Sequence, residues 1–347
     1  MSAIAAMPRA FGAPLSEVIL RQTPADFQVD EQIGFEPEGS GEHVFVHIRK
    51  QGVNTQWLAA ELARWAGIKR RDVSYAGLKD RHAITTQWFS LYMPGTAELP
   101  WSEMAIEGVE VIAVTRHQKK LRPGMLKNNQ FRITLHNVNT TDDLLQQRLS
   151  SIKQRGVPNY FGEQRFGRDG GNLDNALAIF SGKRRVRDRG KQGILISAAR
   201  SHLFNMVLAE RVRQDNWYKA IDGDCMVLDG SHSFFCIDAV DDEIERRLDE
   251  FDIHPGGPRW GRGECPTKLQ SLELEQQVLE DVEDFRSGLE SLKLKMERRA
   301  MRMLPVGIES EWLDQQTLVL SFSLSAGQYA TSFLHELFSW DSSRGNQ

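Results

Sequence analysis

The stretch Gly77–Met93 reads GLKDRHAITTQWFSLYM and has two contrasting halves. Its second half, Ile84–Met93, is rich in β-branched and aromatic residues, which predicts a β-strand. Its first half is short, polar and opens with glycine, which predicts a tight loop. Asp80 lies there between Lys79 and Arg81, and flanking cations favour an ionised carboxylate. Such an aspartate can act as a nucleophile, a general base or a charge stabiliser, although a solvated turn with weak ion pairs has the same composition.

Strands and one helix are predicted around this stretch. Upstream, His43–Lys50 alternates apolar and polar residues with the period of a half-buried strand. Asn54–Ala66 carries a helical apolar stripe that begins at a polar cap and stops before a glycine. The further elements indicated by the same rules are strands at Val109–Arg116, Gln130–Val138 and Leu318–Leu324 and a helix at Thr331–Trp340.

The middle of the chain has a different character, from about Arg155 to Leu304. It contains predicted helices at Ser197–Arg213 and Leu269–Leu304 and an acidic block. Its Gly/Pro-rich stretch Gly256–Gly263 predicts an exposed turn. Strand-rich sequence returns after Pro305, so we predict an α+β chain in which a sheet domain is interrupted by an inserted domain.

Composition excludes several classes of protein. The 347 residues are 40% hydrophobic, which is enough for a packed core and excludes a wholly disordered chain. No apolar run reaches the ~18 residues of a membrane-spanning helix, so no membrane association is expected. Three cysteines are too few for a disulfide framework, and Met1–Pro14 lacks the basic start of a signal peptide, so we expect a reduced, cytoplasmic protein. Metal, phosphate-loop, dinucleotide and GxSxG signatures are absent, which predicts neither a metal nor a nucleotide cofactor.

Positive charge is segregated although the net charge is −4. Thr115–Leu135 contains six basic and no acidic residues, and Lys183–Lys191 contains six basic residues and one acid. Screening lengths of about 8–10 Å let such faces stay locally positive on an acidic molecule. These stretches are either phosphate-binding surfaces or ordinary solvated faces. We predict the former, with Lys119, Lys120, Arg184 and Arg185 contacting phosphates of an RNA.

Two further stretches combine aromatic and amide side chains. Val157–Gly167, VPNYFGEQRFG, suits contact with bases and phosphates, and it fits a buried turn equally well. In Leu126–Phe131, LKNNQF, the Asn129 amide could read a base edge and Phe131 could stack on a base. Either residue could instead belong to the start of a strand.

These motifs together resemble those of the tRNA pseudouridine synthase D (TruD) family. GLKDRHAITTQW resembles the nucleophile motif of the family, VPNYFGEQRFG its second hallmark and LKNNQF its third. Three further matches are TPADFQVDE at Thr23–Glu31, GEHVFVHIRKQGVNT at Gly41–Thr55 and AGQYATSFLHEL at Ala326–Leu337. The motifs follow the family order over nearly the whole chain.

The resemblance implies a pseudouridine-synthase-like catalytic domain with a mixed, largely antiparallel sheet and a cleft, formed by residues 1–154 plus 305–347. It also implies an α/β insertion domain at residues 155–304. The implied reaction is isomerisation of uridine to pseudouridine at position 13 of tRNA, without a cofactor. The partner is therefore tRNA, and the resemblance leaves protein partners unknown.

The resemblance also implies roles for individual residues. Asp80 is the catalytic aspartate, and Arg21 pairs with it. Lys79 and Arg81 act on Asp80 or on a phosphate of the RNA. The residues implied to hold the uridine are Phe27, Asn129, Phe131 and Tyr329, with Phe131 as the stacking ring. The family has lysine at the position of Arg21 and phenylalanine at that of Tyr329, so the charge and the ring are kept.

Two other functions fit the same sequence. One is a catalytically silent RNA-binding protein on the same fold, and the intact GLKDRHA motif argues against it. The other is a carboxylate-dependent hydrolase of small molecules, which would not need two extended basic stretches. The sequence leaves attack at the sugar and attack at uracil C6 equally open.

Overall fold

The computed structural model describes residues 6–95, 99–122 and 124–341. They form two compact units. Of the described residues, we call those within 17–139 and 306–327 the sheet unit, and those within 6–16, 140–305 and 328–341 the helical unit.

The strands, in chain order, are β1 Ser16–Leu20, β2 Phe27–Ile33, β3 His43–Gln51, β4 Val73–Tyr75, β5 Ile84–Tyr92, β6 Val109–His117, β7 Leu126–His136, β8 Val157–Pro158, β9 Cys225–Leu228, β10 Phe234–Cys236, β11 Ile253–Arg259, β12 Glu297–Ala300, β13 Arg302–Met303, β14 Val306–Trp312, β15 Leu318–Ser325 and β16 Phe338–Trp340. The helices are α1 Thr55–Trp65, α2 Asp142–Arg155, α3 Gly171–Phe180, α4 Arg189–Arg213, α5 Asp242–Asp249, α6 Leu269–Val278, α7 Glu283–Ser291 and α8 Ala330–His335. In the described ranges, no helix is long and apolar enough to cross a membrane.

The sheet unit is built on one mixed sheet with the strand order β14-β15-β7-β2-β5-β3-β6. Strand β1 pairs with β7, and β4 pairs with β5. Strand β2 runs parallel to β5, whereas the other neighbours in this order pair antiparallel. Strand β15 pairs with β7 from Leu318 to Ser325, so strands from before and after the middle of the chain share one sheet. The predicted mixed, largely antiparallel sheet is confirmed.

The core under this sheet follows from the alternation in β3. Val46 and Ile48 point to one face and pack with Leu58 and Leu62 of α1. Phe45 on the opposite face is also buried, so β3 is covered on both sides rather than on one. Helix α1 begins where predicted, because the Asn54 side chain accepts hydrogen bonds from two backbone amides of the first turn.

The helical unit packs its helices on a second, antiparallel sheet. The strand order is β10-β9-β11-β12. Helix α4 contributes Leu203, Phe204, Val207 and Leu208, which are fully buried, to the main core of this unit. The predicted helix Ser197–Arg213 is therefore part of a longer one.

The prediction of an exposed turn at Gly256–Gly263 was wrong. Residues Gly256 and Gly257 lie in β11, which is buried and pairs with β9 on one side and β12 on the other. A Cβ atom on Gly257 would lie 2.7 Å from the ring of Phe204. Gly257 therefore allows close packing of α4 on the strand, which is a second use of glycine besides the turn.

The predicted single helix Leu269–Leu304 was also wrong. The chain forms α6 and α7 and then enters β12, after Lys293 adopts a left-handed conformation with φ 57°. Pairing of Glu297–Ala300 with β11 replaces helical hydrogen bonds with sheet hydrogen bonds. Similarly, only the first half of the predicted helix Thr331–Trp340 is helical, in α8, and β16 follows.

The expectation that all cysteines are reduced was wrong for two of them. Cys225 on β9 and Cys236 on β10 are direct cross-strand partners and form a disulfide. Cys265 is a free thiol whose pKa is raised, mainly by burial and then by the neighbouring carboxylate of Glu275.

Candidate active site

The loop between β4 and β5, residues 76–83, is tied to the elements on either side of it. The backbone amide of Lys79 donates to Thr55 Oγ1 at the start of α1 (3.2 Å). Thr55 Oγ1 donates to Gln87 Oε1 (2.9 Å), and Gln87 Nε2 donates to the carbonyl of Gly77 (3.3 Å). The loop therefore has a fixed position at one edge of the sheet, set by α1 and β5.

A buried lysine also hydrogen-bonds the backbone of this loop. Lys50 is 1% exposed, and its Nζ donates to the carbonyls of Val53 (2.9 Å) and Asp80 (3.2 Å). Burial lowers the pKa of Lys50 to about 8, and the carboxylate of Asp80 opposes this shift. Lys50 is not among the site residues predicted from the sequence. Its signal was present, since Lys50 continues the inward series of Val46 and Ile48 at the period of two.

Both carboxylate oxygens of Asp80 are engaged. Oδ2 lies 3.0 Å from Nη1 of Arg21, and Oδ1 accepts a hydrogen bond from the backbone amide of His82 (3.0 Å). The Arg21 guanidinium also lies 4.1 Å from the centroid of the Phe27 ring, which fixes it by a cation–π contact. The pairing of Arg21 with Asp80 that the resemblance implied is therefore present. Arg21 has a left-handed backbone, φ 61°, directly after β1.

A second ion pair lies next to the first. Nζ of Lys79 is 2.8 Å from Oε2 of Glu31, and both side chains are almost fully buried. The same Nζ donates to Oδ1 of Asn129 (2.7 Å), which faces Glu31 across β2 and β7. Because Oδ1 of Asn129 is used by Lys79, its amide nitrogen remains as the donor for a ligand. Glu31 was not singled out in the sequence analysis, although it ends the TPADFQVDE stretch.

Two aromatic rings connect the ion pairs to the core. Phe27 meets Phe131 edge to face, with ring centroids 6.2 Å apart. Phe131 is 9% exposed and stacks on Phe322 with centroids 5.2 Å apart. The structure thus gathers six predicted site residues in the sheet unit, namely Arg21, Phe27, Lys79, Asp80, Asn129 and Phe131.

Tyr329 belongs to the helical unit and lies at the N-terminal end of α8. Its hydroxyl accepts hydrogen bonds from Nε (3.0 Å) and Nη2 (2.7 Å) of Arg165. Arg165 is part of the VPNYFGEQRFG stretch, in which Phe161 is buried beside the Tyr329 ring. The residue is therefore held by contacts within its own unit.

The residues predicted to bind RNA have different environments. Nε of Arg81 donates to the carbonyl of Gly52 (3.0 Å), and Lys120 makes a long contact of 3.4 Å to the carbonyl of Arg71. Lys119 in the sheet unit and Arg185 in the helical unit are exposed. Arg184 is exposed too, and its guanidinium bonds the amide of Asn175.

In the described part of the chain, no group of three histidine, cysteine, aspartate or glutamate side chains could hold a metal ion. A cavity of about 520 Å³ lies in the helical unit between side chains of α3 and α7, and none of the predicted site residues lines it.

Comparison with known proteins decides the family. The family model for tRNA pseudouridine synthase D (TruD) matches residues 11–174 and 186–337 of the chain. The chain belongs to this family. The resemblance seen in GLKDRHAITTQW and the other motifs is confirmed.

Relatives and one solved structure agree with the TruD assignment. A tRNA pseudouridine synthase D of Methylococcus capsulatus is 46% identical over 335 residues, which cover 96% of this chain and 95% of the relative. That of Nitrosococcus oceani is 47% identical over 327 residues, covering 93% and 91%. A crystal structure assigned to TruD from Methanosarcina mazei is 22% identical, covers 96% of both chains and has a TM-score of 0.70. This last likeness shows the fold.

Proposed function

We propose that the chain isomerises uridine to pseudouridine at position 13 of tRNA, with Asp80 as the catalytic residue. The observation that carries the proposal is the Asp80 carboxylate, which is 17% exposed and held by Arg21 and the His82 amide in a member of the TruD family. The relatives are tRNA pseudouridine synthases, which supports tRNA as the substrate and pseudouridine as the product.

The reaction exchanges one bond of the nucleoside for another. A uridine in folded tRNA must first leave its stack to reach a protein side chain. Asp80 then breaks the bond between N1 and C1′, by attack at C1′ of the sugar or at C6 of the uracil. The uracil rotates, C5 bonds to C1′, the bond between Asp80 and the nucleoside breaks to return the carboxylate, the C5 proton is lost and N1 takes up a proton. The product is an isomer of the substrate, so no oxidant, reductant or group donor is consumed.

The ion pairs next to Asp80 have complementary roles in this scheme. Arg21 fixes the orientation of the Asp80 carboxylate, because its guanidinium contacts both the carboxylate and the Phe27 ring. Lys79 and Glu31 orient Asn129 so that its amide nitrogen donates to a uracil carbonyl. These contacts exist before the substrate arrives, which lowers the reorganisation needed during the reaction.

We also propose the domain boundaries that the resemblance implied, with residues 155–304 as the insertion domain within a catalytic domain. Pairing of β15 with β7 supports them, because it joins the chain on either side of the middle segment. We place the activity in the cytoplasm, where tRNA is found. That assignment rests on the substrate, since the cysteines no longer argue for it.

The test is release of tritium from tRNA transcripts labelled at C5 of uridine. Pseudouridine formation must expel that hydrogen, so the purified chain is expected to release it from parental transcripts. A transcript with cytidine at position 13 is the control and should release none. Binding of tRNA without release would favour a catalytically silent RNA-binding protein. Absence of tRNA binding even at low salt would exclude both RNA functions and favour the hydrolase.

A further inference from the structure

Arginines from separate elements come together in the helical unit. Arg200 lies on α4, and Arg259 ends β11. Nη1 of Arg200 is 3.3 Å and Nε of Arg259 is 3.5 Å from the same oxygen, Oε2 of Glu297. The two guanidinium groups therefore share one carboxylate.

Two more arginines lie on a neighbouring ring. The guanidinium carbons of Arg299 and Arg165 are 4.2 Å and 5.4 Å from the centroid of the Phe161 ring. Burial lowers the pKa of Arg299 to about 10, and the charges of Arg259 and Arg165 act in the same direction. The arginines are thus close enough to repel one another. We call Arg165, Arg200, Arg259 and Arg299 the arginine cluster.

Positive charge in this cluster exceeds the negative charge that pairs with it. Glu297 is the ion-pair partner of Arg200 and Arg259, while Arg165 has no carboxylate partner among the residues that the structure describes. Arg165, Arg200 and Arg259 therefore have one ion-pairing carboxylate among them within the described ranges. Partly buried charge that the protein itself does not balance is costly, and it points to a ligand of opposite sign.

Arg259 is the member placed to meet such a ligand. Its side chain is 31% exposed, and within the described ranges its two terminal nitrogens donate to no protein acceptor. Arg211 in the same unit shows what a structural arginine does. It is buried, pairs with both oxygens of Asp224 and donates to the carbonyls of Asn216 and Lys219.

We propose that Arg259, backed by the rest of the arginine cluster, binds a phosphodiester group of the tRNA substrate. The inference rests on the proposed function and adds a contact site to it. The planar fork of an arginine matches two oxygens of a phosphate, and the excess charge supplies the attraction. A free phosphate would meet the same chemistry, but the exposed face of Arg259 suits a group on a large polyanion equally well, and the proposed substrate is one.

The main variant is Arg259→Met, and its matched control is Arg213→Met. Arg213 is exposed and paired with Glu210 in the same unit, so the control removes the same charge outside the cluster. tRNA affinity is measured from 50 to 200 mM salt. Arg259→Met is expected to weaken binding about tenfold at low salt and to reduce the slope of log affinity against log salt by about 1. The control is expected to change the affinity less than about twofold.

Thermal unfolding separates ligand binding from a structural role. Arg259→Met is expected to melt at the parental temperature or above, because the substitution removes a repelling charge. If it melts lower, Arg259→Lys keeps the charge without the fork, and it is expected to keep the parental salt slope while binding tRNA more weakly.

Three results would overturn the proposal. These are equal salt slopes for Arg259→Met and Arg213→Met, parental tRNA affinity of Arg259→Lys, and stabilisation of the parent by inorganic phosphate with an unchanged tRNA slope in Arg259→Met. The last would assign the cluster to a free anion. Failure of the proposed function would look different, since the parent would then release no tritium whether or not Arg259 contributes to tRNA binding.

Discussion

The site around Asp80 and the arginine cluster differ in how their cations are paired with carboxylates. Around Asp80 two cations each have a carboxylate of their own, with Arg21 at 3.0 Å from Asp80 and Lys79 at 2.8 Å from Glu31. In the arginine cluster, two cations share Glu297. Paired charges keep their geometry without a ligand, which suits a group that must react. Unbalanced charges gain most when a ligand arrives, which suits a group that must bind.

The largest expected effect comes from removing the charge of Asp80. Asp80→Asn keeps the shape of the side chain but cannot act as a nucleophile or base. We expect tritium release to fall by roughly a thousandfold or more, with tRNA affinity nearly unchanged. Single-turnover assays and equilibrium binding measure the two quantities. Release near the parental rate from a folded Asp80→Asn protein would remove Asp80 from the mechanism.

The next largest effect is expected when the buried cation of Lys50, which hydrogen-bonds the Asp80 loop, is removed. Lys50→Met removes the bonds of Nζ to the carbonyls of Val53 and Asp80, so we expect about tenfold slower turnover. The control is Arg49→Met, which removes an exposed cation from the neighbouring residue and should leave turnover unchanged.

The Lys50→Met variant should lose turnover but should not lose thermal stability. The pKa of Lys50 is lowered from 10.5 to about 8, so the unfolded chain binds the proton more tightly between these pH values. The contribution of Lys50 to stability is therefore present above pH 10.5 and is lost as the pH falls to 8. At pH 7 the Lys50→Met protein should melt at or above the parental temperature. A lower melting temperature together with unchanged turnover would make Lys50 a purely structural residue.

Glu336 in the helical unit is a buried carboxylate whose charge is disfavoured by its surroundings. Glu336 is fully buried, accepts hydrogen bonds from the amides of Ala10 and Phe11, and lies near Arg9 and Arg148. Burial raises its pKa from 4.5 to about 7 in spite of these groups. Its contribution to stability is therefore complete below pH 4.5 and is lost as the pH rises through 7, a change of about 3 kcal/mol.

The test is Glu336→Gln, which cannot titrate. We expect the difference in unfolding free energy between variant and parent to shift in favour of the variant from pH 5 to pH 7 and to stay level above it. Denaturant unfolding at several pH values measures this difference. A difference that does not change with pH would show that Glu336 is ionised throughout this range.

The smallest effects are expected on the basic stretches that the sequence analysis identified. Replacing Lys119 and Lys120 together by alanine should weaken tRNA binding for all sequences and reduce the salt slope by up to about 2. The pair Arg184 and Arg185 should behave alike. Lys69→Ala, which removes an exposed cation outside both stretches, is the control. Unchanged affinity and slope in both double variants would make these stretches ordinary solvated faces.

Sequence patterns predicted the parts of the fold that local rules govern. The alternation in His43–Lys50 predicted β3, and the cap at Asn54 predicted the start of α1. Both signals depend only on residues that are close together in the chain. The buried strand at Gly256 and Gly257 could not be predicted in this way. A glycine is needed at position 257 because the ring of Phe204, on another element, packs directly against the strand. Packing across elements decides such positions.

The same distinction applies to the candidate site. Asp80 and its loop were found because cations, glycine and carboxylate are adjacent in the chain. Glu31 and the arginine cluster were missed because their partners come from other strands and helices. Window counts of charge detect Lys183–Lys191 but not arginines such as Arg165 and Arg259, which meet only after folding.

Pairing of β15 with β7 has a consequence for synthesis of the chain. Phe322, which stacks on Phe131, lies on β15, and the ribosome makes β15 only after nearly all of the helical unit. At an elongation rate of about 5–20 residues per second the delay is on the order of tens of seconds. During that time the edge of β7 that β15 later covers is open to other chains. Products truncated within Thr140–Pro305 are therefore expected to be inactive and prone to aggregate, even though they contain Asp80.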